Sequence, residues 1–304
     1  MERIREEILA LKEKTNAVIL AHNYQIPDIQ DIADFVGDSL ELAMKAVSLE
    51  GYGTIAFCGV RFMAETAKIL NPSKKVLLAA PDAGCPMADM AEESAVKEMK
   101  DRYPDAGVVC YVNSSAEVKA LSDACCTSSN AAEVARNISA ARILFLPDKN
   151  LAWFVQQRVP EKKIIPWDGW CFVHRKFTVA EVELSRKKFS DAEIIVHPEC
   201  DPEVQSAADY VCSTSHMLKR AKESSAKTFI IGTEEGMLYR LAQDNPDKRF
   251  FCLGSPKFCV NMKKTTLTLL RDGLARQDRE IVVPSDVAER AARALAAMLN
   301  FTGK

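Results

Sequence analysis

Ten cysteines in a chain of 304 residues are the first place to look for chemistry. Three sit in loops of similar character: Cys85 in DAGCPMADM, Cys171 in DGWCFVHRK and Cys259 in SPKFCVNMKK. Each follows an apolar run and precedes a segment read as helical. A helix N-terminus close by favours the thiolate, which is the metal-binding form. Structural zinc generally wants four closed ligands, often in CxxC pairs, and no CxxC occurs here. Cys125 and Cys126 are adjacent and suit two ligands of one ion poorly. Three thiolates from distant loops fit a [4Fe–4S] cluster with one iron left open. Ordinary clusters take four cysteines and serve electron transfer. An open iron acts instead as a Lewis acid on a substrate oxygen. The plainer alternative is three unrelated buried cysteines, since free Cys is commonly a small core residue.

Two further sets of side chains carry chemistry. His22, Asn23 and Tyr24, then Tyr111 and Asn113, then His197 and Glu199 each stand at the end of an apolar run. Ser39, Thr127, Ser128, Ser213 and Thr214 stand where helical segments begin. Hydroxyls and backbone N–H groups at helix starts bind carboxylate and phosphate. His and Glu move protons near neutral pH. Gathered in one pocket, these groups imply a substrate with several anionic groups. Any one Ser taken alone is simply a cap. Three of the four histidines, His174 among them, fall in these loops, the plainer alternative for His174 being a surface or loop histidine; His216 reads as a structural residue inside a helix.

The elements that position these groups repeat three times. The runs AVILAHNY (17–24), AGVVCYVN (106–113) and AEIIVHPE (192–199) read as buried parallel strands. Their alignment puts His22, Tyr111 and His197 in register, with offsets of 89 and 86. The same offsets relate 33–39, 122–128 and 208–214. Third strands follow at 54–60, 142–148 and 228–234, and fourth strands at 74–80, 162–168 and 248–254. Cys85, Cys171 and Cys259 come after the fourth strands, with offsets of 86 and 88. Helical segments lie between, as at 40–50, 131–139 and 216–224. Strands alternating with helices imply parallel sheets with right-handed crossovers. The expected fold is α/β: three pseudo-symmetric repeats, each a four-stranded parallel sheet in an αβα sandwich, around a central active site. Ligands bind beyond the carboxyl ends of such strands. The expected units are 1–103, 104–190 and 191–279. A C-terminal helix within 280–304, with Ser285 as its N-cap, is expected to pack on the first unit beside an N-terminal helix over 1–14.

Bulk properties narrow the class. The chain is 48% hydrophobic and 27% charged, as a globular protein is. A net charge of −2 gives no footprint for nucleic acid or an anionic membrane. No run of eighteen apolar residues suggests a membrane span, and the N-terminus lacks the form of a signal peptide. The expected location is the cytoplasm, where structural disulfides are rare.

At this level of detail the chain resembles the quinolinate synthase family. The resemblance runs along nearly the whole chain. It is carried by HNYQ (22–25), GDS (37–39), FCGVRFMAE (57–65), PDAGCPMADM (81–90), YVNSSAEVKA (111–120) and CCTSSNA (125–131). It continues through PDKNLA (147–152), WDGWCFVH (167–174), HPEC (197–200), STS (213–215), GTEEGM (232–237) and CVNMKKTTL (259–267). The resemblance implies condensation of iminoaspartate with dihydroxyacetone phosphate to quinolinate, phosphate and water, in the biosynthesis of NAD. It implies that Cys85, Cys171 and Cys259 hold one [4Fe–4S] cluster whose fourth iron binds substrate. It implies substrate binding at His22, Ser39, Tyr111, Asn113, Ser128, His197, Ser213 and Thr214, and proton transfer by Tyr24 and Glu199. Transient contact with an aspartate oxidase is a further expectation. Cys259 stands alone, without the CxxC that some members carry there as a proposed redox switch. Two rival readings are an iron–sulfur hydro-lyase acting on another polycarboxylate, and a sensor that signals by cluster loss. A sensor has little use for Tyr24, Glu199 and three anion-binding helix starts around one pocket.

Overall fold

The computed structural model describes residues 2–301. Met1 of the expected N-terminal helix and residues 302–304 of the expected C-terminal helix lie outside them. Twelve strands form three separate sheets among the described residues. The first sheet holds β1 (Ala17–His22), β2 (Phe35–Gly37), β3 (Thr54–Cys58) and β4 (Lys75–Leu78). The second holds β5 (Ala106–Tyr111), β6 (Ala124–Cys126), β7 (Arg142–Leu146) and β8 (Lys163–Pro166). The third holds β9 (Glu193–Val196), β10 (Tyr210–Val211), β11 (Thr228–Gly232) and β12 (Arg249–Cys252). All three have the same order, second–first–third–fourth, and every pairing is parallel. The chain leaves the first strand to one side and returns on the other. That reversal opens a crevice at the carboxyl ends of the first and third strands, where ligands bind in such sheets.

The repeat extends to individual hydrogen bonds. Asp34, Asp123 and Asp209 stand at equivalent positions just before each second strand. Each carboxylate accepts from a backbone N–H of the first strand, at Ile19 (2.8 Å), Val108 (2.7 Å) and Ile194 (2.8 Å). Each also donates its own N–H to the carbonyl of that same residue. The clamp satisfies main-chain groups that two- or three-residue strands leave unpaired.

The first and second units share one apolar core. It runs from Leu20, Phe57 and Leu78 through Val109, Phe145 and Val155. The third unit has cores of its own, around Ile194 and Ile230 on one face and Phe229 and Met237 on the other.

The chain beyond 279 differs in part from expectation. Leu78 N–H donates to the Arg279 carbonyl and Ile281 N–H to that of Val76, so this segment lies antiparallel along β4 of the first unit. The helix Ser285–Phe301 then crosses to the second unit. It packs chiefly on the helix Ala116–Ala120 and on β6, and touches the first unit through the helix Arg61–Leu70. Its apolar stripe of Val287, Ala291, Ala294, Leu295 and Met298 is buried there. Ser285 is the first helical residue rather than the N-cap, since Ala288 N–H already bonds the Pro284 carbonyl. The helix paired with the N-terminal helix Glu2–Lys14 is instead Leu267–Arg276.

Candidate active site and metal centre

One cavity lies at the carboxyl ends of all three sheets. It encloses about 740 Å³ of empty space, its mouth included. His22, Tyr24 and Ser39 of the first unit line it, with Tyr111, Asn113 and Ser128 of the second and His197, Glu199 and Thr214 of the third. By the repeat offsets these are three equivalent trios. Cys85, Cys171 and Cys259 line the same cavity. Of the site residues expected from sequence, Asn23 is not among the lining residues, its amide donating to Thr214 Oγ1 at 3.2 Å, and neither is Ser213. Its hydroxyl caps the helix Thr214–Glu223, accepting from His216 N–H, and meets Ser129 (2.9 Å) and Ser215 (3.2 Å).

The hydroxyl positions differ in local structure. Helices begin at Ser39 and Thr214, the first behind an Asp38–Glu41 capping box. In the second unit a turn at 128–130 delays the helix to Ala131, so Ser128 precedes it.

Three buried donors hold the strand-end loops in place. Gln30, Lys119 and Gln205 are repeat equivalents on the short helices after each first strand. Their side-chain nitrogens bond the carbonyls of Gln25 (2.8 Å), Ser114 (2.5 Å) and Cys200 (2.8 Å), themselves equivalent. A fully buried lysine is rare unless paired. Lys119 here holds a loop as glutamine does in the other two units.

His22 and His197 are set alike. Tyr24 N–H donates to His22 Nδ1 (3.1 Å) and Glu199 N–H to His197 Nδ1 (3.3 Å). Both Nδ1 atoms act as acceptors, so the proton of each neutral ring is on Nε2. Burial lowers the two imidazoles to about 4 and about 3. They are therefore neutral N–H donors at pH 7.

Glu199 is 3% exposed and 2.8 Å from His174 Nδ1, while Tyr111 Oη donates to its other oxygen at 2.7 Å. Burial alone would raise the carboxyl, but His174, His197 and the Tyr111 hydroxyl outweigh it and hold Glu199 well below the usual carboxylate range. Burial, followed by the Glu199 charge, pushes the Tyr24 and Tyr111 phenols up.

His174 therefore lies in the Cys171 loop but not on the surface. It is 2% exposed, stacks on His197 at 4.6 Å between centroids, and meets Thr233 Oγ1 through Nε2 at 2.8 Å. The signal in the sequence was its place three residues after Cys171. Thr233 and Glu234 also escaped the sequence reading. Glu234 accepts from Cys259 N–H (2.9 Å), Gly236 N–H (2.7 Å) and Lys263 (3.0 Å), and so fixes the third cysteine loop.

The three cysteine loops share a device. Each thiol receives the backbone N–H groups two and three residues on: Met87 and Ala88, Val173 and His174, Asn261 and Met262. Such successive N–H groups form a concave nest for an anion. Proper helices follow none of them at once. Cys85 precedes the four-residue helix Pro86–Asp89, and Cys171 and Cys259 precede single 3-10 turns. Burial outweighs the nests and pushes all three thiols up, Cys85 to about 12. The favoured thiolate expected from sequence thus needs a cation to sustain it. Cys171, His174 and Glu199 also place ligand atoms within 4.8 Å of one another. His174 and Glu199 are already engaged with Thr233 and Tyr111, so the three equivalent thiols are the donor set that fits a metal cluster.

Fold and site together define a triplicated αβα protein whose single shared pocket offers three thiols, neutral imidazole donors and a buried carboxylate. A family model described as quinolinate synthetase A protein matches residues 6–300. Curated relatives named quinolinate synthase include one from Alkaliphilus metalliredigens, 52% identical over 296 residues and 97% of each chain. Others come from Methanoregula boonei, 51% identical over 97% of each chain, and Thermodesulfovibrio yellowstonii, 51% identical over 99% of each. The chain belongs to the quinolinate synthetase A family.

Proposed function

We infer that this chain is a quinolinate synthase, condensing iminoaspartate with dihydroxyacetone phosphate to quinolinate, phosphate and water. The observation that carries the reading is the convergence of three equivalent thiols and three polar trios, with Tyr24 and Glu199 among them, on one cavity. We assign one [4Fe–4S] cluster to Cys85, Cys171 and Cys259, a reading supported by their equivalent backbone nests. When bound, such a cluster with an open iron supplies a Lewis acid.

The chain's own residues do the rest. The Nε2–H groups of His22 and His197 and the hydroxyls of Ser39, Ser128 and Thr214 bind the carboxylates and the phosphate. The Asn113 amide adds a neutral contact, and Ser213 serves by holding Thr214 in place. Tyr111 keeps Glu199 oriented through its 2.7 Å bond. Glu199, ionised at rest, accepts a proton from substrate carbon, and Tyr24, protonated at rest, supplies one to a departing oxygen. Walls such as Phe62, Met63 and Val173 keep water from the imine.

We place the units at 1–103, 104–190 and 191–279; each sheet falls within one span, which supports the division. No helix among the described residues is long and apolar enough to cross a membrane. We take the cytoplasm as the site of action, with an aspartate oxidase as source of the imine.

The test is anaerobic. Purified protein receives dihydroxyacetone phosphate and an iminoaspartate source, and quinolinate is sought by mass beside a Cys171→Ala control. Product from the parent alone is the expected result. Its absence from protein carrying an intact cluster overturns the reading in favour of a hydro-lyase for another polycarboxylate.

A further inference from the structure

The carbonyl two residues before each cluster cysteine is tied to the chain just beyond its unit's third strand. Arg61 N–H donates to Ala83 (2.8 Å), Lys149 N–H to Gly169 (2.9 Å) and Glu235 N–H to Lys257 (2.9 Å). By the repeat offsets these three bonds are equivalent. The residue before each donor therefore stands beside a cysteine loop: Val60, Asp148 and Glu234. In the third unit the Glu234 carboxylate accepts from the N–H of Cys259 itself at 2.9 Å. In the second unit Asp148 holds the same place and pairs with Gly169 as an isolated parallel bridge. The Cys171 N–H is one of three main-chain donors set against its carboxyl, with those of Asn150 and Leu151. In the first unit the Val60 side chain offers Cys85 no acceptor.

Asp148 is fully buried and takes no part in the proton transfers. Its Oδ1 caps the helix Lys149–Arg158, accepting from Leu151 N–H at 2.7 Å. Its Oδ2 is buried too and makes no hydrogen bond of ordinary geometry. A cap needs one oxygen, and Ser or Asn caps as well as Asp. A second buried oxygen costs free energy unless a donor answers it. Asn150 and Leu151 belong to the helix that Asp148 caps, so only the Cys171 N–H comes to the carboxyl from elsewhere.

We propose that Asp148 is a positioning residue for the cluster, holding the Cys171 loop by the N–H of the ligand itself, as Glu234 holds that of Cys259. The inference rests on the assignment of the cluster to Cys85, Cys171 and Cys259. Two of the three ligands are then preset by acids, while Cys85 keeps only the main-chain tie common to all units. Groups that orient a metal ligand without touching the metal carry about 10–100-fold in metal affinity.

The test compares Asp148→Ser and Asp148→Asn with the parent, each loaded with cluster. Both substitutes cap a helix, and each offers one acceptor oxygen where two are needed. Iron release to a chelator, followed as loss of visible absorbance, is expected to be about tenfold faster or more in both. After the cluster is removed, alkylation by iodoacetamide is resolved by residue. Cys171 is expected to react at least about threefold faster than in the parent, with Cys85 and Cys259 within about twofold. Parental iron release in either variant overturns the proposal. So does faster alkylation spread equally over the three cysteines, the mark of a general loosening. Should neither variant fold, amide hydrogen exchange of the cluster-free parent decides. The Cys171 amide is expected to exchange more slowly than that of Cys85, and equal rates overturn the proposal. A parent that takes up no iron at these cysteines overturns the cluster assignment, a result separate from all of these.

Discussion

Glu199 keeps its charge in a buried place only because His174, His197 and Tyr111 face it, so its role can be tested without changing its shape. Glu199→Gln is expected to lower kcat by about 100-fold or more, while substrate binding changes far less. Steady-state kinetics with equilibrium binding of a substrate analogue check this, and ordinary turnover removes Glu199 from the chemistry. The two neutral histidines set a pH dependence. Their ordinary value is near 6.5, and the fold holds them at about 4 and about 3. As pH falls through 6.5 the unfolded chain takes up both protons and the fold does not, so stability falls on acidification. The slope is on the order of 1.4 kcal/mol per pH unit for each histidine until about pH 4. Glu199, lowered by the fold, adds loss in the same direction below about 4.5. Urea unfolding between about pH 5 and 7 should show this slope, and His197→Gln should make it shallower. Glu199 stood out by its type at a strand end, whereas the role expected of Tyr24 came from the family resemblance. Gln30, Lys119 and Gln205 stayed hidden because they share a function and not a type. His174 stayed hidden because a histidine after a cysteine loop is bland until Glu199 is seen beside it.

Loops and helix ends carry tolerances that single residues do not reveal. Gly169 stands two residues before Cys171, and a Cβ there would come within 2.3 Å of the Pro147 carbonyl oxygen. Gly169→Ala is therefore expected to displace the Cys171 loop and reduce bound iron, read as iron per chain. Gly236 likewise approaches the Tyr24 main chain, with 2.8 Å left for a Cβ. The helix Ser285–Phe301 contributes a seam that belongs to neither unit it joins. Leu295 is fully buried in it, and Leu295→Ala should cost about 2–5 kcal/mol by denaturant unfolding. Strand positions were legible from short β-branched runs at constant offsets, because a strand buried on both faces is a continuous apolar run. Where the last helix docks was not legible, because an amphipathic stripe says that a face is buried and not against what.

At the scale of the molecule, three units answer to one centre. The three thiols occupy equivalent positions with equivalent backbone donors, so Cys85→Ala, Cys171→Ala and Cys259→Ala should each abolish the cluster's visible absorbance. Replacing Cys58, a buried residue of β3 that does not line the cavity, should leave it. The triplication was readable because register survived even where side chains diverged. The departures from threefold symmetry were not, since His174 and Thr233 gain meaning only when two units are brought face to face. The first sheet has one consequence for biosynthesis of the chain itself. Its β4 edge is bordered by residues near 280, made some 200 residues after β4. A nascent chain on the ribosome can therefore assemble the second and third sheets while the first still waits for its last border. Ribosome-bound chains shorter than this should leave β4 open to proteases, and to any other strand that finds it.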